Sequence, residues 1–476
     1  MKGIEQMKKA VIMGAGPAGL TAGYQLKKNA VDCTLIDKGS QVGGISKTED
    51  YKGYKFDTGG HRFFTKFDEV NNLWHEVLGE DFRKTPRLSR IYCKGKFFDY
   101  PLKPINAIIN IGFVDAVRIV SSYFWIKIFP YKEEKTLEQW VSNRFGKWFY
   151  RIFLKAYPEK VWGSPCSEIE SEFGAQRIQG VTLMAAVKNA IFKPKGNKIK
   201  SLIDEFDYPK YGAGMMYTEM KDKIEEMGGK VLIKSKVTKV NHKNNVIKSV
   251  EYVDEKGITH VEEGTDFISS IPITELINIL SPKADKEVIE AASNLRYRSI
   301  VTVNLIINKK EIFPDNWIYI YPAEIKHGRV EDFKNWSADM VPDQNKSSLS
   351  LEFFCNEDDE IWNTPDEELF KLGAKEAEML NFCKRSEIED YIVLRIPKAY
   401  PVYRNNYKDY LNVIEKYLRK FKNLQLIGRY GLFKYNNMDH SVLTGMYSAE
   451  NIEKGDYKLD TWNVNTEKEY LEEKNA

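Results

Sequence analysis

Residues 9–13, Lys-Ala-Val-Ile-Met, make a short apolar run that stops at once on Gly14-Ala15-Gly16-Pro17-Ala18-Gly19-Leu20. A run of that length bounded by glycines predicts a buried strand. Residues 21–28 then space their apolar positions as a helix does, and residues 31–36 form a second apolar run that ends on Asp37. Strand, glycine turn, helix and strand make a βαβ unit. Helical spacing also dominates residues 70–78, 104–128, 137–155 and 174–189. The exception there is 88–101, strand-like on both sides of Lys94-Gly95, which predicts a hairpin.

Strand patterning returns at 231–233, 237–241 and 247–253, and Phe267-Ile268-Ser269-Ser270-Ile271-Pro272 reads as a strand running into a loop. Residues 299–355 alternate apolar and polar positions and are rich in aromatics, which predicts a twisted antiparallel sheet. Leu424-Gln425-Leu426-Ile427 is one more buried strand; Gly428-Arg429 and a helix from His440 or Ser441 to about Glu453 follow it. No repeat or low-complexity linker separates these parts, so the chain is expected to cross between domains more than once.

At 476 residues the chain is too long for one core. Hydrophobic residues at 42% and charged residues at 29% describe a globular protein. Lys+Arg at 71 against Asp+Glu at 68 leaves a net charge of +3, which argues against a nucleic-acid partner. Any anionic ligand must therefore be met by a few placed arginines. Cys33, Cys93, Cys166, Cys355 and Cys383 are widely spaced and form no C-x-x-C pair, so neither a metal site nor a disulfide scaffold is expected. That usage fits a reducing cytoplasm, and the opening MKGIEQMKK lacks the apolar segment of a signal peptide. Asp115, Arg118 and Lys127 interrupt the longest apolar stretch, 105–129. It reads as helices, not as a transmembrane segment, with a membrane-surface helix as the alternative.

The glycine turn carries the first chemistry. Gly14 permits the tight turn, Gly16 lets the backbone approach a pyrophosphate, and Gly19 lets helix pack on strand. Pro17 and Ala18 open the helix, whose N-terminus offers unpaired N–H groups and a positive dipole end. Asp37 stands where an acidic side chain accepts from ribose hydroxyls, with Lys38 beside it. Gly43-Gly44-Ile45-Ser46 supplies small residues past which the chain can run close to a dinucleotide. NAD and FAD both suit such a unit. The glycine pair and Lys55-Phe56-Asp57-Thr58-Gly59-Gly60-His61, a strand returning to a glycine turn, favour FAD. The expected fold class is α/β: a Rossmann-like FAD-binding domain over 1–70, resumed at 200–275 and 420–455. A mainly helical domain is inserted at 71–200, an antiparallel β-sheet substrate domain follows at 276–420, and a polar tail ends the chain at 456–476.

Six blocks recur in order along the chain. They are Phe56-Asp57-Thr58-Gly59-Gly60-His61; Lys160-Val161-Trp162-Gly163-Ser164-Pro165 through Gln176-Arg177; and Phe206-Asp207-Tyr208-Pro209 with Gly212 and Gly214. Trp317-Ile318-Tyr319 through Arg329, Ala399-Tyr400-Pro401, and Gly428-Arg429-Tyr430-Gly431 with Tyr435 and Asp439-His440-Ser441 complete the set. Together they resemble the UDP-galactopyranose mutase family in its larger, eukaryotic-type form, within the amine oxidase/protoporphyrinogen oxidase-like flavoproteins. One departure is plain: Arg62-Phe63-Phe64 follows His61, where that family carries a second histidine.

The resemblance implies that His61 lies against the flavin and that Arg177 and Arg329 bind a diphosphate, joined by Tyr319 and Tyr435. It implies that Tyr208, Trp317 and Tyr400 meet the substrate, and that Arg429, Asp439, His440 and Ser441 meet the cofactor. The implied reaction contracts a nucleotide-diphospho-hexopyranose, UDP-galactopyranose before others, to its furanose form. Reduced FAD N5 attacks the anomeric carbon, with NADPH or NADH as reductant. Two arginines suit a departing diphosphate because each offers a planar, permanently charged fork. Neither belongs to the core on this reading, so replacing either is expected to leave stability unchanged. The alternative is an FAD-dependent oxidoreductase of the amine oxidase or desaturase type, with an apolar pocket in place of the arginines. The expected partner is a nucleotide-diphosphate sugar, and a homo-oligomer is compatible with the sequence.

Overall fold

The computed structural model describes residues 8–100, 107, 110–171, 205–404 and 406–466. The first apolar run forms the strand Lys9–Met13 at the centre of a five-stranded sheet. Asp32–Ile36 and Asp266–Ser269 flank it, with Lys230–Leu232 and Leu424–Leu426 at the two edges. Every pair in this sheet is parallel. Side chains alternate between faces: Ala10 and Ile12 enter one core with Leu20, Leu35 and Tyr217, while Val11 and Met13 enter another with Ile36, Phe267 and Leu426. A sheet covered on both faces explains why the strand is uniformly apolar. The register sets Met13 beside Ile36 and Ser269. Gly14, Asp37 and Ser270 therefore leave the sheet at one common edge.

The helix Pro17–Lys28 covers this sheet together with Gly214–Glu226 and Met438–Lys454. Its contacts at two points are backbone to backbone. A Cβ on Gly19 would lie 2.0 Å from the Gly14 carbonyl oxygen, and one on Gly445 would lie 2.4 Å from that of Ala18. Glycine is what lets the helix sit this close to the strand below and to the helix beside it.

A second sheet has seven strands in the order Ile388–Val402, Arg296–Ile307, Ser347–Cys355, Arg329–Glu331, Trp317–Ile320, Ser89–Cys93 and Lys96–Asp99. The expected hairpin is there, turning on Lys94 and Gly95 with φ of 50° and 74°. It does not belong to a helical layer, however. Ser89–Cys93 pairs in parallel with Trp317–Ile320, so this sheet is antiparallel except at that one pair.

The helix expected over 137–155 is instead three pieces: Leu137–Phe145, Lys147–Phe149 and a π-turn at Tyr150–Leu154. Gly146, at φ 86°, breaks it because its backbone lies against the neighbouring helix, where a Cβ would come 2.8 Å from Tyr123 N. The sequence pattern gives no sign of the 15-residue strand Ile388–Val402. Its pairing slips between Arg298 and Ile300, where Pro397, Lys398 and Ala399 stand opposite Ser299, Lys398 at φ 55°. The bulge breaks the alternation that would have marked a strand. The helix expected at 174–189 lies outside the described residues, and so does Arg177 within it.

Gly445→Ala is expected to destabilise the protein by about 1–3 kcal/mol, because a methyl group must displace backbone. Urea denaturation measures this; a midpoint equal to wild type would contradict the close contact.

Candidate functional site

The common edge of the parallel sheet opens a long cavity of about 670 Å³. Its floor is backbone. Gly14, at φ 105°, donates its N–H to Ile36 O at 2.8 Å, and Asp37 Oδ2 accepts from Ala15 N at 2.7 Å. Asp37 Oδ1 accepts from Gly39 N at 2.6 Å, and each carboxylate oxygen keeps a further lone pair for a hydroxyl donor. A Cβ on Gly44 would lie 3.3 Å from Gly16 Cα, so only backbone separates the two turns. Gly14, Gly16, Pro17 and Ala18 border the cavity, as do Asp37, Lys38, Gly44, Ile45 and Ser46. Ser235, Lys236 and Val237 border it as well and carried no motif.

Gly19 and Gly43 do not reach this wall. Gly19 lies beneath the turn, and Gly43, at φ 98°, shapes the loop and donates to Ala15 O at 2.8 Å. The second helix, Met438–Lys454, aims its N-terminus at the same cavity through Asp439 and Ser441. His440 is a correction. It lies between those two on the helix and turns away from the cavity, buried with its ring edge-on to Phe67 at 5.8 Å. Successive helical residues point about 100° apart, so neighbours need not share a face.

A backbone floor, a carboxylate at the strand end and two helix N-termini suit a dinucleotide diphosphate. FAD fits these residues: the glycine turn for the pyrophosphate, Asp37 for a ribose, and Gly59, Gly60 and His61 at the far end for the flavin. His61 is held neutral, because burial first, and then the charges of Arg429 and Arg329, push its imidazole down to about 3. Arg429 donates Nε to Asn436 O and Nη1 to Ala399 O, both at 2.9 Å. Its guanidinium also lies 5.4 and 5.0 Å over the rings of Tyr400 and Tyr435, which stack on each other at 5.3 Å.

The far wall comes from the second sheet. Trp317, Tyr319, Arg329, Tyr400 and Tyr435 all border the cavity. Tyr208 does not, contrary to expectation. The strand Glu205–Pro209 pairs with Phe82–Pro86 and turns Tyr208 inward, where it is fully buried. Its hydroxyl donates to Asp57 Oδ2 at 2.7 Å, and burial pushes Asp57 up to about 7. Tyr208 is thus a core residue.

Arg329 differs from expectation in its partners. Its Nε and Nη2 donate to the two oxygens of Glu352 at 2.8 and 2.7 Å, and Glu331 Oε1 lies 3.3 Å from Nε. Both carboxylates are 0% exposed. Burial, and then repulsion from Glu352, hold Glu331 well above the usual carboxylate range. Burial opposes the charge of Arg329, but Glu352 and Glu331 more than offset it. The fork expected to clamp a diphosphate is therefore half-compensated within the wall. The Gly59-Gly60 turn sits directly on this cluster: a Cβ on Gly59 would come 3.3 Å from Glu352 Oε1, and one on Gly60 would come 2.6 Å from Glu331 Oε1. Sequence motifs missed both glutamates. Glu331 shares a short strand with Arg329, and Glu352 faces it across the ladder; only the register reveals that pairing. Arg62 was missed as well. It borders the cavity with its guanidinium 5.3 Å over the Trp317 ring.

The NAD(P)-binding Rossmann-like domain model matches residues 12–77. A crystal structure of reduced UDP-galactopyranose mutase has a TM-score of 0.84 to this chain at 20% identity, covering 98% of this chain and 99% of that one. The 15-cis-phytoene desaturase of Arabidopsis thaliana is 23% identical over 479 residues, 95% of this chain and 81% of its own length. The 1-hydroxycarotenoid 3,4-desaturase of Flavobacterium sp. is 25% identical over 53% of this chain, and the match spans 55% of that enzyme. The fold is thus that of flavin-dependent mutases and oxidases, FAD is the cofactor, and the matches support a flavin-dependent enzyme of the amine oxidase superfamily.

Arg329→Ala leaves Glu352 buried without its cation and is expected to cost about 3–5 kcal/mol of stability, in contrast to the sequence-based expectation of no change. Pairing it with Glu352→Gln should recover part of that loss. Thermal melts of the three proteins decide the matter, and an unaltered Arg329→Ala melt would refute the buried pair.

Proposed function

We propose that this chain is a flavin-dependent isomerase that contracts the hexopyranose ring of a nucleotide-diphospho-sugar, UDP-galactopyranose before others, to the furanose form. The observation that carries the reading is the polar character of the wall at the flavin end. Arg62, Arg329 and Arg429 border one cavity with Tyr319, Tyr400 and Tyr435, where an apolar substrate would call for an apolar lining. Bound in its reduced form, FAD would supply the nucleophile for the anomeric carbon. The protein's part is to bind, orient and exclude water. Arg62 and the tyrosines offer charged and phenolic donors to a diphosphate that must stay bound while the ring reopens. His61, being neutral, can donate or accept one hydrogen bond beside the flavin without adding charge.

A second reading, an oxidoreductase of the amine oxidase or desaturase type, is favoured by one observation: Glu352 compensates Arg329 in bidentate fashion. That weakens the anion site at this point of the wall.

The test is to incubate the reduced holoenzyme without oxygen with UDP-galactose and related nucleotide sugars and to look for furanose product. Turnover is expected only after reduction by dithionite, NADPH or NADH, with no stoichiometric use of reductant. Arg62→Ala is expected to weaken UDP binding at least roughly tenfold, the equivalent of one lost charge-assisted hydrogen bond. Turnover by the oxidised enzyme with hydrogen peroxide or reduced quinone as co-product would establish the second reading instead.

A further inference from the structure

The helix Phe113–Ile128 is apolar on two opposite faces. Ile119, Tyr123 and Ile126 are buried. Phe113, Val114, Val117, Phe124, Trp125 and Ile128 are 83, 60, 48, 55, 62 and 68% exposed. At about 100° per residue these six fall on one stripe roughly 120° wide, directly opposite the buried residues. The stripe runs past the helix end, where exposed Phe129 packs its ring 4.8 Å from that of Trp125. An outward face this apolar and aromatic is one that something covers.

The border of the stripe is basic. Arg118 and Arg151 both lie over the Trp148 ring, at 4.9 and 5.8 Å, and Lys147 lies 4.7 Å over Tyr131 just beyond the helix. Lys127 and Lys132 are exposed beside them. The nearby carboxylates already have partners: Asp115 has Lys94 at 2.5 Å, Glu133 has Lys135 at 2.7 Å and Glu134 has Arg144 at 2.8 Å. Among the described residues no carboxylate lies within ion-pair distance of Lys127, Lys132, Lys147 or Arg151. A second copy of this chain is a poor occupant, because a two-fold contact would bring the basic border against itself.

We propose that this face docks on an anionic phospholipid surface. The aromatic stripe enters the boundary between headgroups and acyl chains, and the basic border meets the lipid phosphates. The helix lies in the plane of the membrane; no helix among the described residues is long and apolar enough to cross one. The inference holds whichever substrate the cavity takes.

Vesicle flotation of the full-length holoprotein tests it, with phosphatidylcholine alone compared with phosphatidylcholine containing about 30% phosphatidylglycerol. Binding is expected on the anionic vesicles and should fall as salt shortens the Debye length. Phe124→Ser with Trp125→Ser, and separately Lys127→Glu with Lys147→Glu, should each lower the partition coefficient at least about tenfold at unchanged flavin content. Absence of wild-type flotation would overturn the proposal, as would binding that neither pair of substitutions alters. So would a dimer, seen by light scattering, that the serine variant dissolves; that result would assign the face to a second copy.

Discussion

Everything at the cofactor end depends on how closely one helix approaches what surrounds it. Gly19 sits on the carbonyl of Gly14, and Gly445 sits on that of Ala18. With side chains at those points the helix would stand off from the sheet, and its N-terminal N–H groups would no longer face the cavity edge. The approach also ties the two ends of the chain together. The helix that supplies Asp439 and Ser441 is the one carrying Gly445. The glycine turn and the start of the second helix are thus placed by one packing contact, not by two independent loops.

The substrate end rests on a different kind of contact. A guanidinium and two carboxylates are removed from water together, and only the pairing makes that tolerable. Glu352 meets the charge of Arg329 at two points, and burial holds Glu331 well above the usual carboxylate range. Its function in the wall is therefore partly mechanical. It fixes the Gly59-Gly60 turn against the sheet. The stacked pair Tyr400–Tyr435 beneath Arg429 is held in a different way, since two carbonyls and the ring faces hold the guanidinium.

Local features of the fold were legible in the sequence wherever the cause is local. A glycine turn after an apolar strand, an acid at the next strand end and a hairpin on Lys94-Gly95 are each set by a handful of neighbouring residues, and the structure has all three. Failures occurred where distant partners decide. Tyr208 looks like a pocket tyrosine until its strand pairs with Phe82–Pro86 and turns it toward Asp57. His440 sits in a cofactor-like Asp-His-Ser turn, yet helical geometry sends it to Phe67. Glu352 is one glutamate among many until the register sets it opposite Arg329. The strand Ile388–Val402 was hidden by its own bulge, which brings Lys398 and Tyr400 to the cavity and destroys the alternating pattern at the same stroke.

The parallel pairings have a bearing on how the molecule is made. Lys9–Met13 is synthesised well before its partner Asp266–Ser269, and the edge strand Leu424–Leu426 comes later still. Ser89–Cys93 likewise waits for Trp317–Ile320. At about 5–20 residues per second, that second wait lasts roughly ten to forty-five seconds. The nascent chain therefore cannot assemble its cofactor cradle progressively. The cradle closes only once Leu424–Leu426 and Met438–Lys454 are in place.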